Sequence, residues 1–132
     1  MSSAHIHEVE IILFVSDQEK STRFYTNLLR SLPVLHVKGM TEFNLSSVCK
    51  LGLMPNSGIA RILTEAVPHP ETGYGIPRCE LYLKVDDVES EFEHALQIGA
   101  KAISAPAVRD WGDNVCYLTD PDGHVIAFAA AK

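Results

Sequence analysis

Eight residues near the start of the chain, Glu10–Asp17 (EIILFVSD), recur as Glu80–Asp87 (ELYLKVDD), so any fold must build the same local structure twice. Glutamate opens each copy, leucine stands at Leu13 and Leu83, valine at Val15 and Val85, and aspartate closes both. Apolar residues at every second position, Ile11–Leu13–Val15 and Leu81–Leu83–Val85, predict a strand with one face packed inward. The alternate positions carry Glu10, Ile12 and Phe14 in one copy and Glu80, Tyr82 and Lys84 in the other. A solvated strand face rarely mixes aromatic and aliphatic groups with one acid, so this face is expected to line a cavity.

The segments downstream of the two copies repeat as well. Ser16-Asp17 offers a helix cap, and Gln18 to Arg30 carries Phe24, Leu28 and Leu29 near helical spacing, which predicts an amphipathic helix stopped before Pro33. Three short strands come next, at Val34–Lys38, Thr41–Leu45 and Val48–Met54. After the second copy, Asp86-Asp87 caps a helix with Val88, Phe92, Ala95, Leu96 and Ile98 as its apolar stripe, and Gly99 supplies a left-handed end. Lys101–Ala105, Asn114–Thr119 and His124–Ala129 are the next strands, the last two joined by the turn Asp120–Gly123. The prediction is a single α+β domain of two tandem βαβββ modules, about residues 8–55 and 79–130, whose mixed sheets curl around a shared cavity. Between them, residues 56–78 are rich in Pro and Gly and read as a linker, with one helical turn around Ile59–Leu63.

Charge and cysteine content narrow the partners. Eleven Lys and Arg against seventeen Asp and Glu give a net charge of −6 with no basic cluster, which argues against nucleic acid or an anionic membrane surface. Cys49, Cys79 and Cys116 are odd in number, far apart and set in apolar runs, the pattern of reduced, buried thiols in a cytoplasmic protein. No basic, apolar leader opens the sequence and no stretch approaches the ~20 apolar residues of a membrane helix.

VSD and VDD at the strand ends, STRFYTNLL in the first helix, IGAKAI after the second, and WGDNVCYLTDPDGHVIAF near the C-terminus resemble the vicinal oxygen chelate superfamily, which includes glyoxalase I, bleomycin-resistance proteins and extradiol dioxygenases. That resemblance covers nearly the whole chain and implies paired βαβββ modules, a homodimer, and, in catalytic members, a divalent metal held from the first and last strand of each module. Carried over residue by residue, the ligand positions are Glu10, Gly52, Glu80 and Ala127. Neither glycine nor alanine offers a donor, so Glu10 and Glu80 would be the remaining metal ligands, a weak oxygen site suited to Mg, Mn or Ca rather than Zn. No cofactor is therefore expected beyond such a weakly held ion.

With the strand alternation, the cavity is expected to be lined by Ile12, Phe14, Gly52, Met54, Tyr82, Lys84 and Ala127, with Glu10 and Glu80 near its centre, while Trp111, in a loop, either covers a pocket or an interface or packs on the linker. Glu10 and Glu80 could act as a catalytic acid and base, or Lys84 could neutralise one of them as a structural ion pair. His5, His7, His36, His69, His94 and His124 read as solvated or structural, and Asp120 and Asp122 as turn formers. Two functions fit these residues. One is a bleomycin-resistance-like protein that binds a small, partly apolar molecule with a degenerate metal site. The other is a glyoxalase-type lyase or isomerase, or a dioxygenase-like enzyme, acting on a small carbonyl compound.

Overall fold

The computed structural model describes residues 4–132. Two compact units emerge, the first from residues up to Thr26 with Arg30–Thr72, the second from Asn27–Leu29 with Gly73–Lys132. Each holds an open four-stranded mixed sheet, and three helices complete the α+β architecture.

In the first unit, β1 (Val9–Val15) leads into helix α1 (Gln18–Leu29), then β2 (Leu35–Val37), β3 (Met40–Ser46) and β4 (Cys49–Pro55). Sheet order is β1-β4-β3-β2, with β1 and β4 parallel and the rest antiparallel. Asp17 starts α1 by accepting a bond from the Lys20 amide at 3.0 Å. Register then aligns Leu13 with Leu53 and Thr41, and Leu51 with Phe43, and all five side chains are at most 4% exposed. Each such buried aliphatic or aromatic side chain contributes about 1.5–3 kcal/mol. Ile11, expected on the same inward face, is instead 36% exposed, because it lies on edge strand β1.

Thr41 is a polar group in this apolar layer, and its hydroxyl is fully engaged. It meets Thr22 Oγ1 at 3.0 Å, Gln18 Nε2 at 2.9 Å and His36 Nδ1 at 2.8 Å, while His36 Nε2 reaches Glu19 at 3.0 Å. Helix α1 is thereby tied to β2 and β3, and His36 is a structural bridge.

The second unit repeats the plan with β5 (Glu80–Lys84), α3 (Val88–Gln97), β6 (Lys101–Val108), β7 (Asp113–Thr119) and β8 (Val125–Ala131), in sheet order β5-β8-β7-β6. Asp87 caps α3 through the Ser90 amide at 3.0 Å, and Gly99 has the left-handed φ of +107° that its position requires. Leu81 aligns with Ile126 and Leu118, and Phe128 with Cys116, as a buried layer beneath Val88 and Ala95. Leu96, expected in the helix stripe, is 39% exposed.

Residues 56–78 depart from the linker expected. Pro55 ends β4 and becomes the N-cap of helix α2 (Asn56–Leu63), followed by short 3-10 turns at Thr64–Ala66 and Pro70–Gly73. A Pro at a helix start loses no needed amide bond, so the residues read as a closing turn open a helix instead. Cysteine burial also differs from the expectation: Cys116 is buried, Cys49 half-buried and Cys79 exposed. Among the described residues, no helix is long and apolar enough to cross a membrane.

The β7–β8 turn depends on one side chain. Asp120, 5% exposed, accepts from the amides of Asp122 and His124, both at 2.9 Å, while Gly123 takes a φ of +87°. Replacing Asp120 with Ala leaves two donors without that acceptor and should lower stability by about 1–3 kcal/mol, measured by urea denaturation. An unchanged midpoint would show that the turn holds without it.

Candidate functional site

Parallel pairing of first and last strands fixes which side chains share a face in each unit. On the first sheet, Glu10 lies beside Lys50, Ile12 beside Gly52, and Phe14 beside Met54, while antiparallel β3 sets Glu42 beside Gly52. Gly52 has no side chain, and the Glu10 carboxyl fills the space it leaves: a Cβ on Gly52 would stand 2.5 Å from Glu10 Oε2 and 3.1 Å from Ile12 Cγ1. Glu42, which β3 sets beside Gly52, is the second acid that acts on Glu10 there.

Two carboxyls can share a hydrogen bond only if one carries a proton. Burial first, then the Glu42 bond and charge, push Glu10 up to about 7 from an ordinary 4.5, with Lys50 acting in the opposite sense. Lys50 Nζ turns instead to Glu8 Oε1 at 3.1 Å, and that bond and charge raise the ammonium above its usual value. Glu10 Oε2 is buried and has no donor facing it. Glu80, the other candidate acid, is exposed on β5 of the second unit.

The second sheet carries a different group. Tyr82 Oη donates to Asp113 Oδ2 at 2.6 Å, Lys84 Nζ donates to the same oxygen at 3.0 Å, and the Trp111 indole donates to Tyr82 Oη at 2.8 Å. Those two donors hold the Asp113 carboxyl below its usual range, Tyr82 first and Lys84 second, whereas burial and Asp113 raise the Tyr82 phenol. Lys84 therefore pairs with Asp113. Sequence reasoning missed Asp113 and Glu42 because each pairing depends on cross-strand register. It placed Trp111 in a loop, and that loop is the tight β6–β7 turn.

Ala127, expected to line the cavity, is fully buried with Val115 and Ala129, and the Tyr117 ring packs against them. Ile12 is 37% exposed, and Phe14 and Met54 are half-buried on the first sheet. The four inherited ligand positions thus fit a metal poorly. Gly52 and Ala127 have no donor, Glu10 Oε2 stands where a side chain at 52 would begin, and Ala127 has no surface. Among the described residues, no group of three or more His, Cys, Asp or Glu side chains is placed to hold a metal ion. Exposed His5 and His7 precede β1.

Two βαβββ units, each presenting the outward face of its first strand, define a protein of the glyoxalase/bleomycin-resistance type. Residues 9–131 match the glyoxalase-like domain, and the chain belongs to that family. An uncharacterized protein of Mycobacterium bovis is 25% identical over 119 residues, spanning 85% of this chain and 75% of the relative. Among solved structures, a glyoxalase-related enzyme from Fulvimarina pelagi superposes with a TM-score of 0.79 at 21% identity, over 92% of this chain and 86% of that one. A glyoxalase/bleomycin resistance protein/dioxygenase family enzyme from Burkholderia phytofirmans gives 0.80 at 16% identity, over 93% and 97%. At these identities the structural likeness shows a common fold.

A raised carboxyl makes a signed prediction. Because the folded value of about 7 lies above the ordinary 4.5, protonated Glu10 favours the folded state, and this contribution is complete below pH 4.5 and is lost as pH rises to about 7. Glu10→Gln, which keeps a donor for Glu42, should therefore gain on the wild type between those limits and then level off. The gain should reach about 1–2 kcal/mol after allowance for solvent screening. Thermal melts at pH 4, 6 and 8 check it, and a variant less stable at pH 8 would contradict the protonated pair. Gly52→Ala should displace the Glu10 carboxyl and return its titration toward the ordinary range, readable by carboxyl-carbon NMR.

Proposed function

We propose that the protein binds a small, partly apolar molecule against an outward sheet face, without a catalytic metal. The observation that carries this reading is the placement of Glu10 over Gly52. Burial and neighbouring Glu42 push that carboxyl up to about 7, and a protonated acid is a poor ligand for a hard cation. The first sheet offers a ligand apolar surface from Ile12, Phe14 and Met54 with Glu10 as the polar point, and the second offers Tyr82 and Trp111 with Lys84.

One observation favours a second reading, a glyoxalase-type lyase or isomerase. A carboxyl that titrates near 7 beside a second acid is matched to general acid–base work at neutral pH, such as moving a proton next to a carbonyl. In that reading Glu10 is the acid or base, and burial first, then Glu42 rather than Glu80, raises it.

The resemblance adds a homodimer in the cytoplasm to this proposal. Exposed Val9, Ile11 and Ile12 on edge strand β1 support a covered edge, and light scattering at micromolar concentration tests it.

Metal analysis of the purified protein, with melts in the presence of aromatic and aliphatic small molecules before and after chelator treatment, decides between the readings. Substoichiometric metal is expected, together with a rise of roughly 5–10 °C for a ligand at about 100 times its Kd, unchanged by the chelator. Near-stoichiometric metal that is lost in Glu80→Gln would overturn the metal-free binding reading.

A further inference from the structure

We draw no further inference here: the strongest candidate, the side-chain cluster at the start of helix α2, where Asn56 is 9% exposed and its buried Oδ1 meets no donor among the described residues, restates a ligand subsite already established for the family.

Discussion

Parallel pairing of the first strand of each module with its last is the constraint on which the rest depends. In-register parallel neighbours present their side chains on one face, so β1 against β4 and β5 against β8 decide what each outward surface contains. The inward residues of these strands, Leu13 with Leu53 and Leu81 with Ile126, anchor the helices and hold the pairing in place. Anything the outward positions carry is then held on a scaffold whose stability comes from the other side. Duplication of the strand therefore duplicates the frame and leaves the chemistry of each face free to diverge.

The two faces did diverge. On the first, the missing side chain at Gly52 leaves room for the Glu10 carboxyl from β1, and burial there together with Glu42 from β3 pushes it up to about 7. On the second, Tyr117 packs against buried Ala127, and Tyr82, Lys84, Asp113 and Trp111 are joined by bonds of 2.6–3.0 Å. One face is a protonatable acid pair. The other is a charge-balanced aromatic surface.

Much of the frame was legible in the sequence. Strand alternation, both aspartate caps, Gly99 and the Asp120–Gly123 turn are local signals, and local physics decides them. Helix α2 was obscured because Pro and Gly at positions 55 and 58 read equally as a turn or as a helix start. The site was legible only in part, since alternation gives the face of a residue but not its cross-strand neighbour. Glu42 faces Gly52 because β3 pairs with β4 ahead of a bulge between Asn44 and Ser46, and no feature of the sequence announces that bulge. Asp113 begins β7 next to Trp111, and its bonds to Tyr82 and Lys84 come from a strand distant in sequence.

The central claim is that Glu10, set over Gly52 and beside Glu42, keeps its proton up to about pH 7. Carbon-detected NMR of glutamate side-chain carboxyls, followed over pH with and without added Mn²⁺ or Zn²⁺, addresses it most directly. The expected result is a Glu10 carboxyl titrating near 7 and unmoved by either ion at equimolar concentration. A Glu10 carboxyl titrating in the ordinary range near 4.5, or a resonance lost on adding one equivalent of metal, would contradict it.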